Sequence, residues 1–165
     1  TNVENSSEIL RVVKEFIALL KFPIIWITPN ADPGANLINE SIRNIPNCYL
    51  VVNLNPVTFQ LLLRNAQFAL GNSSSFVRDS SFSGTPVILL GLRQNNRETA
   101  DNVITLKDAN LQKLKDALNT INKSPKIKPS FIYGEGKSSQ IILDEIYKFF
   151  KRVTSKQKKL HYKIN

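Results

Sequence analysis

Apolar residues recur along the chain at two spacings, one typical of helices and one typical of strands. Between Ile9 and Leu20 they lie mostly three or four positions apart, and Pro23 follows, which predicts an amphipathic helix that ends before the proline. The next segment, Ile24 to Ile27, is a continuous run of β-branched and aromatic residues. Such a run is typical of a strand that is buried on both faces, as in a parallel sheet.

The same alternation of helices and strands continues along the chain. Further helices are predicted near residues 35–43, 56–65, 76–82, 111–121 and 138–153, and further strands near residues 49–53, 68–70, 87–90 and 102–106. Strands and helices that alternate over short loops predict βαβ units with right-handed crossovers. We therefore predict an α/β fold, a Rossmann-like domain of three layers in which helices cover both faces of a parallel sheet.

The length of the chain limits the number of domains. A chain of 165 residues, 42% of them hydrophobic, is long enough for one domain with a core and short for two. We predict one domain over residues 1–153 and a basic tail over residues 154–165. No apolar run approaches the length of a membrane span, and the first residues lack the pattern of a signal peptide, so we expect a soluble, cytoplasmic protein without a membrane partner.

Composition argues against several kinds of site. Cys48 and His161 are the single cysteine and the single histidine, so a disulfide within the chain, a cysteine-based zinc site and a self-contained Ser-His-Asp or Cys-His site are not expected. No metal and no cofactor are predicted. The net charge is +9, but six basic and no acidic residues lie in residues 151–165, so the rest of the chain is only mildly basic. Nucleic acid is therefore not an expected partner.

A glycine and serine segment follows the predicted strand 68–70 and precedes the next helix. It reads Gly71-Asn72-Ser73-Ser74-Ser75. At a helix N-terminus it offers backbone N–H groups, hydroxyl donors and the positive end of the helix dipole, although a serine N-cap alone would also explain it. Arg93 follows the next strand, and the carboxyl ends of parallel strands meet at one edge of a sheet. We therefore predict an anion site at this edge, with a guanidinium that suits a phosphate.

Two other groups would lie near the same edge. The loop from Pro29 to Gly34 follows the first strand, although turn chemistry alone also accounts for its residues. Asp79 lies one or two turns into the helix after the serines. A carboxylate there can accept hydrogen bonds from a ribose diol or can simply stabilise the helix N-terminus, and the sequence leaves both interpretations open. The Gly-x-Gly-x-x-Gly and P-loop fingerprints of other nucleotide sites are absent.

Five ordered blocks of the sequence resemble the UDP-N-acetylglucosamine 2-epimerase family. They are residues 29–34, 71–75, 84–87, 91–98 with 101–103, and 132–136. Within them, Gly91-Leu92-Arg93-Gln94-Asn95-Asn96-Arg97-Glu98 resembles the hydrolysing branch, which includes enzymes of sialic acid and legionaminic acid biosynthesis. The resemblance implies an enzyme that removes UDP from a UDP-sugar by anti elimination and then hydrates the glycal to release an N-acetylmannosamine-type sugar.

The same resemblance implies a GT-B architecture like that of glycogen phosphorylase, in which two Rossmann-like halves enclose the substrate. This chain resembles only the C-terminal half. The acidic catalytic residues and a histidine motif of the family would then lie in the other half or just upstream of Thr1, so no catalytic residue is expected in this chain. We expect the chain to be inactive without that N-terminal domain, and we expect its inner face to favour a homo-oligomer.

The resemblance also implies which residues contact the UDP part of the substrate. They are Asn30, Leu54, Ser73, Ser74, Asp79 and Arg93. The two serines and the arginine would hold the diphosphate, the aspartate would hold the ribose, and Asn30 with the backbone near Leu54 would border the uridine.

Two other functions are compatible with parts of the sequence. The first is the donor-nucleotide half of a GT-B glycosyltransferase, which the block at residues 91–98 disfavours. The second is a non-enzymatic Rossmann module whose basic tail binds an acidic partner or nucleic acid. Deletion of the tail would abolish that binding and leave UDP binding unchanged.

Overall fold

A computed structural model describes residues 3–28, 35–124 and 127–152 of the chain. The chain divides into two compact units, Thr1–Ile132 and Tyr133–Asn165. The helices of the first unit are α1 (Val3–Ala18), α2 (Ala35–Ile42), α3 (Pro56–Asn65), α4 (Ser74–Ser83) and α5 (Leu111–Lys123). Its strands are β1 (Ile24–Ile27), β2 (Cys48–Val51), β3 (Ala69–Gly71), β4 (Val87–Leu90) and β5 (Val103–Leu106). This alternation confirms the predicted α/β class.

The strands pair in parallel in two sheets. β1 pairs with β2, with Ile24 opposite Cys48. β4 lies between β3 and β5, and Val87 is the partner both of Ala69 and of Val103. Because β3 and β4 run in the same direction, the loops that follow them leave the same edge of the sheet, as the sequence predicts.

Two apolar clusters cover opposite faces of β4. Ile88 and Leu90 belong to a cluster that includes Phe16 of α1 and Leu114 of α5. The alternate residues Val87 and Leu89 belong to a second cluster, whose other buried members are Leu63 of α3, Ala69 of β3 and Val77 of α4. Successive side chains of a strand point to opposite faces, so helices lie on both sides of this sheet. The three-layer, Rossmann-like arrangement is therefore confirmed.

The end of α4 is fixed by a close backbone approach. Gly84 is the C-cap of α4 and adopts the left-handed conformation, with φ of 68°. A Cβ atom at this position would overlap the carbonyl oxygen of Ile127. The N–H of Ser130 donates to the carbonyl oxygen of Ser81 at 2.8 Å, so the segment after α5 runs across the end of α4. Glycine is required here by conformation and by space.

The second unit contains helix α6 (Ser138–Arg152). Its apolar side chains include Ile142, Ile146 and Phe149, which share one face at helical spacing and are exposed. The helix agrees with the predicted last helix to within one residue. In the described residues no helix is long and apolar enough to cross a membrane. The tail that the sequence predicts at residues 154–165 lies outside the described residues.

Candidate anion-binding site

The serine turn, residues 71–75, joins the end of β3 to the start of α4. Ser73 is the N-cap of α4, with φ of −72° and ψ of 140°, and its Oγ accepts a hydrogen bond from the N–H of Ser75 at 3.3 Å. The first N–H groups of a helix have no carbonyl partner within the helix. Capping uses Ser73 Oγ as an acceptor, and the hydroxyl can still donate its proton. The capping role and an anion-binding role of this serine are therefore compatible.

Gly71 allows the serine turn to approach α4 closely. Its φ is +153°, a conformation that residues with side chains rarely adopt, and an added Cβ would lie 3.1 Å from Cε2 of Phe76. Phe76 in turn packs against the second apolar cluster. The packing of Phe76 thus holds the start of α4 against the apolar core, whereas Asn72 and Ser73 on the turn are exposed.

The arginine loop, residues 91–97, follows β4 at the same edge of the sheet. It consists of tight turns in which the N–H of Asn95 donates to Leu92 O at 2.9 Å and the N–H of Arg97 donates to Gln94 O at 3.1 Å. Residues 93–97 line an open recess of about 290 Å³. Arg93 is exposed and forms no ion pair with a carboxylate of the described residues. Its guanidinium is available to an anion.

A hydrogen bond joins the two loops. Nε2 of Gln94 donates to the carbonyl oxygen of Asn72 at 3.0 Å, and Gln94 is only 8% exposed. The structure therefore brings Ser73, Ser74 and the loop that carries Arg93 together at one sheet edge, as the pattern of strands predicts. The sequence did not single out this contact, because no local spacing marks a glutamine that bonds to a backbone carbonyl 22 residues earlier.

Of the other predicted site residues, the structure describes Asp79 and Leu54, and Leu54 follows a strand of the two-stranded sheet. Asp79 is half-buried in the second turn of α4, about 7.5 Å along the helix axis from Ser74. Leu54 is half-buried in the loop between β2 and α3, on the carboxyl side of β2. Asn30 lies outside the described residues. The contacts of these three residues with a nucleotide remain predictions.

The opposite edge of the sheet has a recess of a different character. It has a volume of about 300 Å³, and Arg64, Gln67, Ser83 and Asn122 are among its lining residues. The carboxyl ends of α3, α4 and α5 meet here, so the helix dipoles direct partial negative charge toward this recess. A highly charged anion is therefore better accommodated at the serine turn, where α4 presents its N-terminus.

Comparisons with known proteins identify the family of the chain. A family model described as UDP-N-acetylglucosamine 2-epimerase matches residues 1–147. UDP-N,N'-diacetylbacillosamine 2-epimerase (hydrolyzing) of Legionella pneumophila is 40% identical over 123 residues, which are 71% of this chain and 32% of the relative. GDP/UDP-N,N'-diacetylbacillosamine 2-epimerase (hydrolyzing) of Campylobacter jejuni is 34% identical over 62% of this chain and 28% of its own length. UDP-N-acetylglucosamine 2-epimerase of Neisseria meningitidis is 32% identical over 49% of this chain and 22% of its own. The matched segment thus spans a third or less of these curated relatives.

Proposed function

The chain belongs to the UDP-N-acetylglucosamine 2-epimerase family, and on that premise we propose that it is the UDP-binding part of a hydrolysing UDP-sugar 2-epimerase. The proposed substrate is UDP-N-acetylglucosamine or a diacetylated analogue. The reaction of the whole enzyme would release UDP by anti elimination, form a glycal, and add water to give an N-acetylmannosamine-type sugar. Two of the relatives described above are hydrolysing diacetylbacillosamine 2-epimerases, which supports this branch.

One observation carries the proposal. The N-terminus of α4, capped by Ser73, and the loop that carries Arg93 lie at the same sheet edge and are joined through Gln94. A diphosphate is the part of a UDP-sugar with the highest charge, and a helix N-terminus with a nearby guanidinium supplies N–H donors, a dipole and a cation to it.

We assign the other nucleotide contacts by the same logic. Ser73 and Ser74 would donate to the phosphate oxygens beside Arg93. Asp79 would accept hydrogen bonds from the ribose diol, because its position about two helical turns from the capped end suits a group next to the diphosphate. Asn30 and the backbone near Leu54 would border the uracil.

The chemical step would need groups that this chain does not supply. In the proposed enzyme the residues that remove and add protons at the sugar belong to another part of the protein, and this chain is the C-terminal part of a GT-B architecture. The chain alone would bind UDP and would not turn over a UDP-sugar. Its cytoplasmic location, its role in sialic-type sugar biosynthesis and its assembly into a homo-oligomer stay proposals of the same kind.

Titration of UDP into the purified chain by calorimetry tests the proposal. We expect saturable binding with a dissociation constant of about 10 µM to 1 mM, because the diphosphate contacts are present and the sugar contacts are incomplete. Arg93→Ala, and Ser73→Ala combined with Ser74→Ala, should each weaken binding at least about tenfold, since both remove charge-assisted hydrogen bonds.

Arg64→Ala provides the matched control. Arg64 is an exposed arginine at the opposite edge of the sheet. Its removal changes the net charge by the same amount as Arg93→Ala, so it separates a specific contact from general electrostatic attraction. Equal losses of affinity in both arginine variants, or no binding of millimolar UDP by the unmodified chain, would contradict the proposal.

A further inference from the structure

Gln94 is the buried residue of an otherwise exposed stretch. Of residues 92–97, Gln94 alone is buried, whereas its neighbours Arg93 and Asn95 are exposed. Its Nε2 atom donates to Asn72, as described above, but its Oε1 atom is buried and has no hydrogen-bond partner among the described residues. A buried carbonyl without a partner destabilises a fold. Stability alone would therefore favour an apolar side chain of the same size at this position.

The hydrogen bond of Gln94 spans the two parts of the proposed site. Its acceptor, Asn72, comes directly before Ser73, the N-cap of α4, and its own neighbour is Arg93. Within the arginine loop, Asn96 has a positive φ of 65°, and two backbone hydrogen bonds close tight turns. These features determine the conformation of the loop itself. Among the hydrogen bonds of the described residues, that of the Gln94 side chain joins this loop to the serine turn.

We propose that Gln94 is a positioning residue of the nucleotide site. It would hold the arginine loop against the start of α4, so that the Arg93 guanidinium and the N–H groups of α4 meet the same diphosphate. This inference rests on the proposed UDP-binding function. Its physical basis is preorganisation: a long, exposed arginine side chain binds more tightly when the backbone that carries it is already fixed.

The test is Gln94→Met, which keeps the length of the side chain and removes the amide. It eliminates the buried, unpaired Oε1 atom, and the carbonyl of exposed Asn72 can bond to water instead. We therefore expect the melting temperature to stay close to that of the unmodified chain. UDP affinity should fall about five- to twentyfold, because Arg93 must then be ordered at the moment of binding.

Gln67→Met is the matched control. Gln67 also donates a long-range hydrogen bond from Nε2, to Oδ1 of Asn122 in the last turn of α5 at 3.1 Å, but it lines the recess at the opposite edge. The same substitution there should leave UDP affinity within about twofold of the unmodified chain. Gln94→Leu serves as a second variant if Gln94→Met does not fold.

A double-mutant cycle separates positioning from a general structural role. In the Gln94→Met background, Arg93→Ala should cost at least about threefold less UDP affinity than it costs in the unmodified chain, because the two residues act through one contact. The inference would be overturned if Arg93→Ala lowered UDP affinity by the same factor in both backgrounds, or if the Gln94→Met chain bound UDP as tightly as the unmodified chain. Either result would leave the proposed function intact. Failure of the unmodified chain to bind UDP would overturn the proposed function, and the inference with it.

Discussion

The side-chain amide of Asn102 donates a hydrogen bond to the hydroxyl of Ser80 at 2.8 Å, across 22 residues of sequence. The same amide donates to the carbonyl oxygen of Thr85 at 2.6 Å. Asn102 is 2% exposed and Ser80 is fully buried. The residue before β5 thus bonds both to the middle of α4 and to the turn that precedes β4, so the helix whose N-terminus forms the candidate site is fixed by a buried polar contact.

Asn102→Ala should destabilise the chain strongly. The substitution leaves Ser80 and Thr85 without this donor in a buried environment and removes packed atoms, which together should lower the free energy of unfolding by about 2–4 kcal/mol. Urea denaturation followed by circular dichroism measures the change. Asn119→Ala, at an exposed position of α5, is the control and should change stability by less than about 0.5 kcal/mol. A similar stability for both variants would show that the Asn102 contact contributes little.

Two glycines with nearly the same backbone conformation should differ in their tolerance of alanine. Gly84 and Gly91 have φ values of 68° and 72°. A Cβ at Gly84 would overlap the carbonyl oxygen of Ile127, whereas a Cβ at Gly91 has open space around it. We expect Gly91→Ala to cost about 1 kcal/mol from conformation alone, and Gly84→Ala to cost at least about 2 kcal/mol more, because backbone atoms must move. If urea denaturation showed equal losses in the free energy of unfolding, the close approach of the segment after α5 would not be what restricts Gly84.

Cys48 should react more slowly in the folded chain than in the unfolded chain. Burial in β2 raises the pKa of Cys48, because desolvation disfavours the thiolate. Modification by a disulfide reagent at pH 8 should therefore be several-fold slower in the folded chain than in urea, since the thiolate is the reacting form.

The raised pKa of Cys48 also means that folding favours the protonated thiol, so the free energy of unfolding should fall as the pH rises above about 8.5, where the unfolded thiol ionises. A Cys48→Ala variant should lack this dependence, and equal reaction rates with and without urea would contradict the prediction.

The elements of the fold follow from hydrophobic periodicity, but some of their ends do not. The apolar run at Ile24 to Ile27 predicts a strand that is buried on both faces, but Ile25 and Ile27 are exposed in the structure, whereas all four residues of β4 are buried. α4, however, begins at Ser74 and not near residue 76, because the serines form both the cap and the first turn. α1 begins at Val3, six residues before the apolar pattern that starts at Ile9, since polar residues such as Glu8 extend a helix on its solvent side and pair with Arg11. Apolar spacing carries no information about such polar turns.

The sequence likewise predicts only some of the contacts of the candidate site. The predicted meeting of Ser73 and Arg93 at one edge needs only two parallel strands and short loops, which local patterns reveal. The Gln94 and Asn102 contacts join segments 22 residues apart and depend on the exact packing of α4, so no spacing in the sequence reports them. Asp79 is an intermediate case: the sequence places it on α4, and the orientation of its carboxylate toward a ribose stays a prediction.

The diphosphate site is tested most directly by a map of the amide chemical-shift changes that occur when UDP is added to the isotope-labelled 18.6 kDa chain. We predict that the amides of residues 71–76 and 91–97 shift together along one saturable curve, and that Arg93→Ala moves the midpoint of that curve to a higher UDP concentration. Shifts concentrated at residues 83–86 and 121–124, at the opposite edge of the sheet, or no shifts at millimolar UDP, would contradict a diphosphate site at the start of α4.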